Sequence, residues 1–128
     1  MKLLLDTCAL LWFLGNDPKL SSVARVALLD PANERWLSPI SLLEIAIKVR
    51  SGKLPLPKPY PVLFPTELMA NDIHLLPIEP DHIEPLTMLP MHHKDPFDRL
   101  IAATAFVEGL TLVSADSAFD AYGLTRLW

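Results

Sequence analysis

Residues 95–116 read DPFDRLIAATAFVEGLTLVSAD, and this stretch decides the fold class. Asp95 followed by Pro96 is typical of a helix start, because an aspartate caps the first turn and the first helical position tolerates proline. The helical pattern ends at Gly109, a residue type that is common just after helices. The apolar run 110–113 then predicts a buried strand. A helix followed directly by such a strand is typical of α/β folds.

Further strands and helices alternate along the rest of the chain. Short apolar runs predict three more strands, over residues 2–5, 36–38 and 73–78. Helices are predicted over the segments between them, at residues 9–14, 22–29, 41–50, 61–71 and 81–89. We therefore predict one α/β domain over residues 1–128, with a parallel sheet of four to five strands and helices on both faces.

The composition describes a domain that folds without cross-links. The chain has 128 residues, 51% of them apolar, and Cys8 is its one cysteine, which we expect to be a small core residue. The apolar run at residues 1–5 is interrupted by Asp6 and is too short for a secretory core or a membrane span, so we expect a cytoplasmic protein with no membrane partner. A mean hydropathy of +0.30 suggests that a partner or a second copy covers some apolar surface.

Four acidic residues are predicted to meet at one edge of the sheet. Asp6 and Asp116 follow predicted strands, and Glu44 and Asp98 lie in the first turns of predicted helices. In open α/β sheets, ligands bind at the carboxyl ends of the strands. Carboxylates this close repel one another unless a cation holds them, and Mg²⁺ or Mn²⁺ prefers oxygen ligands. A metal held in this way supports phosphodiester hydrolysis, because it lowers the pKa of a bound water and neutralises phosphate charge.

Each acid also has a purely structural interpretation. Glu44 lies three residues after Ser41, which predicts a capping box at the start of a helix. Asp98 lies in a first turn, where a carboxylate favours the helix dipole. Asp6 and Asp116 can simply be turn residues that end their strands. Both interpretations of each acid stay open at this point.

Two more acids and two hydroxyls lie close to the four in the sequence. Asp120 is a fifth candidate metal ligand, whereas Asp95 is predicted to cap a helix. Thr7 and Ser114 carry hydroxyl groups beside the acids and can orient a carboxylate or a metal-bound water.

The net charge of −4 argues against a protein that grips nucleic acid by overall positive charge, but it conceals a basic segment. Residues 45–66 contain no acid and four bases, which are Lys48, Arg50, Lys53 and Lys58. They are candidates for contacts with RNA phosphates, or they form a solvated helix end. Arg99 can steer a phosphate or form a surface ion pair, and the pair His92 and His93 suggests a capping loop or an RNA contact more than a zinc site.

The chain resembles a known family through four motifs in order. They are LLDT at residues 4–7, SLLEI at 41–45, HKDPFDRLIAATA at 93–105 and LVSAD at 112–116. This succession resembles PIN-domain ribonucleases, in particular the VapC toxins of type II toxin–antitoxin systems, and it extends from Leu3 to about Phe119. Ser114 stands where many members have Thr, which keeps the hydroxyl, and Asp120 falls where some members have a further acid.

The resemblance implies an endoribonuclease that depends on Mg²⁺ or Mn²⁺, with Asp6, Glu44, Asp98 and Asp116 as its acidic pocket. It also implies a structured RNA substrate of the tRNA or rRNA class and inhibition by a cognate antitoxin. A homodimer is implied as well, with DNA contacted only through the antitoxin.

Two other functions are compatible with an acidic pocket in a domain of this class. One is a non-enzymatic receiver-like signalling domain with an acidic Mg²⁺ pocket, although no lysine ends a late strand as that class requires. The other is a non-catalytic PIN-like module that only binds a partner, against which the full set of four acids argues. A haloacid-type phosphatase is excluded because Cys8 stands where its second aspartate is needed. Dinucleotide and P-loop sites are excluded because no glycine-rich loop follows a strand.

Overall fold

A computed structural model describes residues 1–128 as five strands and seven α-helices. The strands are β1 (Lys2–Leu5), β2 (Glu34–Leu37), β3 (Ile73–Leu75), β4 (Thr111–Val113) and β5 (Arg126–Leu127). The helices are α1 (Thr7–Leu14), α2 (Ser22–Leu29), α3 (Pro39–Arg50), α4 (Tyr60–Leu63), α5 (Thr66–Ala70), α6 (Pro80–Ile83) and α7 (Pro96–Glu108). Two 3₁₀ turns, Glu84–Thr87 and Ser117–Tyr122, complete the structure. None of the helices is long and apolar enough to cross a membrane.

The sheet is parallel throughout, and its strands lie in the order β3-β2-β1-β4-β5. Leu4 at the centre of the sheet is level with Trp36 of β2 and Leu112 of β4. The chain adds strands on one side of β1 and then crosses to the other side for β4. The strand order therefore reverses between β1 and β4, and ligands bind at such a switch point in α/β sheets.

The alternating side chains of β1 pack into two cores, one on each face of the sheet. Leu3 and Leu5 belong to the larger core, which includes Leu10 of α1 and Leu28 of α2. Leu4 points to the opposite face, into a smaller core formed mainly by α7 and Leu112. The three β1 leucines, Leu3, Leu4 and Leu5, are fully buried. The predicted arrangement, a parallel sheet covered by helices on both faces, is thereby confirmed.

The prolines of the middle segment explain where the predicted elements were too long. The helix predicted over 61–71 is two short helices, α4 and α5, because Pro65 cannot continue a helix and keeps Phe64 extended. The helix predicted over 81–89 is one α-helical turn, α6, followed by a 3₁₀ turn. The strand predicted over 73–78 ends at Leu75.

Candidate metal and nucleic-acid site

The four predicted acids lie around one cavity at the carboxyl edge of the sheet. Asp6 directly follows β1, and Asp116 is the third residue after β4. Glu44 lies on α3 and Asp98 in the first turn of α7. All four line a cavity of about 270 Å³, together with Thr7, Cys8, Trp12, Lys48, Asp95, Ala115 and Phe119. The structure thus brings together side chains from four separate segments.

Asp6 is held at the junction of β1 and α1. Its backbone N–H donates to the carbonyl of Val113 at 3.1 Å, which joins the ends of β1 and β4. Its Oδ1 accepts from the N–H of Ala9 at 2.7 Å and caps α1. Burial raises the pKa of Asp6, and hydrogen bonds from the Ser114 side chain and the Ala9 N–H only partly oppose this rise. The nearby charges of Glu44 and Asp116 raise it further.

Glu44 is not part of a capping box, so that prediction is wrong. Ser38 caps α3 and Pro39 occupies its first position, which places Ser41 and Glu44 inside the helix. The Glu44 side chain is buried, and both of its oxygens have partners. Oε1 accepts from the Thr7 hydroxyl at 2.6 Å, and Oε2 accepts from Lys48 Nζ at 2.7 Å. The same hydrogen bond raises the pKa of Lys48, so its half-exposed side chain stays positively charged at the cavity wall.

Asp98 carries the most strongly perturbed carboxyl group of the cavity. Asp95 caps α7 as predicted, since its Oδ1 accepts from the N–H groups of Phe97 at 2.8 Å and Asp98 at 3.4 Å. Burial raises the pKa of Asp98 to about 7, and the charge of Asp95 adds to this more than His93 offsets. A carboxyl group with a pKa this high is shielded from water and has too little positive charge nearby to offset its burial.

Asp116 differs from the other acids because it has good hydrogen-bond donors. Its Oδ1 accepts from the N–H of Ala118 at 2.9 Å, and its Oδ2 lies 2.8 Å from His93 Nε2. Partial burial tends to raise its pKa, but the Ala118 N–H and His93 outweigh that effect and lower it. Ser114 supports the loop, because its hydroxyl accepts from the Asp116 N–H at 3.0 Å.

The donor atoms of this cavity suit a hard divalent cation. A ring nitrogen of His93 and one carboxylate oxygen from each of Asp98 and Asp116 lie within 4.8 Å of one another. Asp6 contributes a further buried carboxylate to the same cavity. Carboxylate oxygens are the ligands that Mg²⁺ and Mn²⁺ prefer, and an ion there would supply the charge that Asp98 lacks.

The fifth candidate ligand, Asp120, faces away from this cavity. Its two oxygens accept from Arg126 Nε at 2.7 Å and Nη2 at 2.9 Å. The bidentate ion pair lowers the pKa of Asp120. Both oxygens are thus already partnered by the chain itself, and the structure does not bring Asp120 to the other acids.

The basic candidates differ in their surroundings. Lys48 lines the cavity, whereas Arg50 and Lys53 are exposed at and just beyond the end of α3. Lys58, the last base of the segment, lies 3.4 Å from Glu67. The surface ion pair predicted for Arg99 is wrong, because its guanidinium donates to the carbonyls of Pro90 and Leu89 at 3.0 and 3.1 Å. It therefore ties down the loop before α7.

A sequence model of the PIN domain matches residues 3–124. The chain belongs to the PIN domain family. A comparison with curated protein sequences gives no match. The strand order argues against the receiver-like alternative, because flavodoxin-like sheets have the order 2-1-3-4-5 and this PIN domain has 3-2-1-4-5.

Solved structures share the PIN fold along almost the whole chain. VapBC2 from Rickettsia felis, bound to a DNA fragment from their promoter, matches with a TM-score of 0.66 and 18% identity, over 98% of this chain and 97% of that chain. FitAcB from Neisseria gonorrhoeae matches with a TM-score of 0.64 and 22% identity, over 97% of this chain and 95% of that chain. VapBC-1 from nontypeable Haemophilus influenzae matches with a TM-score of 0.62 and 19% identity, over 98% of this chain and 96% of that chain. At these identities the likeness concerns the fold.

Three residues at or beside the cavity of this PIN domain have contacts that the sequence did not predict. His93 contacts Asp116 directly. The sequence signal for this contact is that His93 lies two residues before the helix cap Asp95, from whose N–H it accepts a hydrogen bond. Lys48 pairs with Glu44 four residues earlier, at the spacing typical of helical ion pairs. Cys8 is exposed in the cavity wall instead of buried in the core. Desolvation there, with the charges of Asp6 and Glu44, raises its pKa to about 11, so it remains a thiol at neutral pH.

Proposed function

We propose that this PIN domain is a metal-dependent endoribonuclease, the toxin of a type II toxin–antitoxin pair. PIN domains are in general nucleases, which hydrolyse phosphodiester bonds. The observation that carries the proposal is the meeting of Asp6, Glu44, Asp98 and Asp116 at one cavity, with the pKa of Asp98 raised to about 7. Two of these carboxyl groups, Asp6 and Asp98, have raised pKa values, which fits a cation site better than a set of helix caps.

Mg²⁺ or Mn²⁺ would be held by Asp6, Asp98 and Asp116. When bound, such an ion supplies an activated water and neutralises charge on the scissile phosphate. Glu44 keeps its hydrogen bond to Thr7 and its ion pair with Lys48, and therefore shapes the wall beside the ion. The Lys48 ammonium group faces the same cavity and can attract a phosphate oxygen.

RNA would approach along the basic end of α3. Arg50 and Lys53 are exposed there and follow Lys48 along the chain. Replacing both with Gln should weaken RNA binding and reduce its salt dependence, because two phosphate contacts are lost. Lys2→Gln is the control, since Lys2 is exposed at the opposite, amino end of β1. Equal losses in the control and the double variant would contradict this RNA path.

An apolar groove beside the acidic cavity fits the proposed antitoxin. The groove has a volume of about 550 Å³ and is lined by residues that include Leu11, Leu54 and Leu56. Cys8 and Trp12 line both the groove and the acidic cavity. A partner chain lying in the groove can therefore extend into the acidic cavity and exclude RNA. DNA would be contacted only through that partner. A homodimer is a separate part of the proposal, in which a second copy of the chain covers other exposed apolar residues.

The proposal is tested by RNA cleavage with the purified chain. Structured RNA, such as total tRNA, should be cut in Mg²⁺ or Mn²⁺ and left intact in EDTA. Asp6→Asn should abolish cleavage and still fold, because asparagine caps a helix as well as aspartate. Asp120→Asn is the matched control and should cleave normally, since Asp120 is exposed and lies outside the cavity. Cleavage by Asp6→Asn at the wild-type rate would overturn the proposal.

A further inference from the structure

His93 joins two acids that come from different parts of the fold. Its Nε2 lies 2.8 Å from Asp116 Oδ2 and 3.1 Å from Asp98 Oδ2. Asp98 belongs to α7 and Asp116 to the loop after β4. One ring nitrogen therefore spans the gap between these two segments.

The position of the His93 ring is determined from several sides. Its backbone N–H donates to the Tyr122 hydroxyl at 2.8 Å, and its ring packs against Phe119 with the centroids 5.4 Å apart. Its Nδ1 accepts from the N–H of Asp95 at 3.3 Å. Only 17% of the side chain is exposed. The ring is thus held in place independently of the acids.

The contact with Asp95 also determines which ring nitrogen carries the proton. A backbone N–H can only donate, so Nδ1 must present its lone pair to Asp95. The proton of the neutral ring is then on Nε2, which faces the two carboxylates. A protonated Nε2 can donate hydrogen bonds but has no lone pair for a metal ion.

We infer that His93 is a positioning residue, not a metal ligand: its Nε2–H holds Asp98 and Asp116 together and competes with the metal ion for their oxygens. The inference rests on the proposed function, in which these two acids bind the ion. An ion that binds both Oδ2 atoms must displace the hydrogen bond from His93 to Asp116 and the close contact of Nε2 with Asp98. The ring therefore limits the metal affinity of the cavity.

The test is a calorimetric titration of metal-free protein with Mn²⁺. His93→Ala should bind Mn²⁺ roughly ten-fold more tightly than the wild type, the factor expected when one charge-assisted hydrogen bond no longer has to be broken. His93→Gln should bind close to the wild-type value, since its amide N–H₂ can donate where Nε2–H does. His92→Ala is the control and should match the wild type, because His92 packs edge-on against Tyr122 and makes no contact with the acids.

The possible results separate the two proposals. Weaker or unchanged Mn²⁺ binding by His93→Ala overturns the inference and leaves the nuclease proposal standing. A wild-type chain that binds no Mn²⁺ overturns the metal-dependent nuclease, and the inference with it. NMR of the wild-type chain with ¹⁵N-labelled histidine needs no variant, and the His93 proton should reside on Nε2 before metal is added. A proton on Nδ1 instead would overturn the inference.

Discussion

Replacing Asp98 with Asn should stabilise the metal-free protein at neutral and higher pH. The pKa of Asp98 is raised from 3.8 to about 7, mainly by burial and then by the charge of Asp95. Between these two values the folded state keeps the Asp98 proton and the unfolded state loses it. The contribution of Asp98 to the free energy of unfolding therefore falls as pH rises from about 4 to about 7 and stays low above that. Asparagine cannot ionise and removes this penalty.

The size of the effect follows from the pKa shift. A shift of about 3 units at about 1.36 kcal/mol each sets a ceiling of about 4 kcal/mol for the gain above pH 7. Two effects reduce it. The side chain is 21% exposed, so water relieves part of the cost of burying its charge. The substitution also removes a negative charge from the first turn of α7, where it interacts favourably with the helix dipole, and this costs about 0.3–1 kcal/mol. We expect a net gain of roughly 1–2 kcal/mol.

The assay is urea unfolding in EDTA at pH 8, 6 and 4. The Asp98→Asn variant should unfold at higher urea than the wild type at pH 8, and the difference should shrink at pH 6 and vanish near pH 4. Asp81→Asn is the control, because Asp81 is exposed and outside the cavity, and it should change stability by less than about 0.5 kcal/mol at every pH. The reasoning fails if Asp98→Asn is no more stable than the wild type at pH 8, or if it is equally stabilised at pH 4.

Three further predictions concern metal binding and buried polar groups. Mg²⁺ at 100 times its dissociation constant should stabilise the wild type by about 2.7 kcal/mol and Asp6→Asn by clearly less, measured as a thermal shift; equal shifts would contradict a site at Asp6. Arg35→Ala should lower the free energy of unfolding by about 3 kcal/mol, because the buried guanidinium donates to the carbonyls of Leu28, Asp30 and Asn71, which would be left without it; a loss below about 1 kcal/mol in urea unfolding would count against this. His82→Ala should cost about 2 kcal/mol, because the fully buried ring bonds Glu108 at 2.6 Å and the Glu79 N–H at 3.0 Å; the exposed His74→Ala, expected within about 0.5 kcal/mol, is its control.

Local sequence signals were sufficient to predict the ends of a helix where those ends depend only on neighbouring residues. The start of α7 at Asp95-Pro96 and its end at Gly109 are confirmed, because caps and a left-handed glycine depend on a few neighbouring residues. The helix α3 begins at Pro39 and not at the predicted Ser41, because Ser38 caps it and proline suits the first helical position. The two-residue strand β5 has too short a pattern to be recognised, and its pairing with β4 defines it.

The sequence by itself determined the alternation of strands and helices, and with it the edge of the sheet where Asp6 and Asp116 end their strands. Strand order and the partners of each acid were decided only by the tertiary structure. The spacing of the chain carries no information on whether Asp120 faces Arg126 or the other acids, because the position of Arg126 depends on the pairing of β5 with β4. The role of His93 likewise depends on contacts with Asp116 and Tyr122, each more than twenty residues away. Long-range packing sets these hydrogen bonds, and with them the charge that each carboxylate carries.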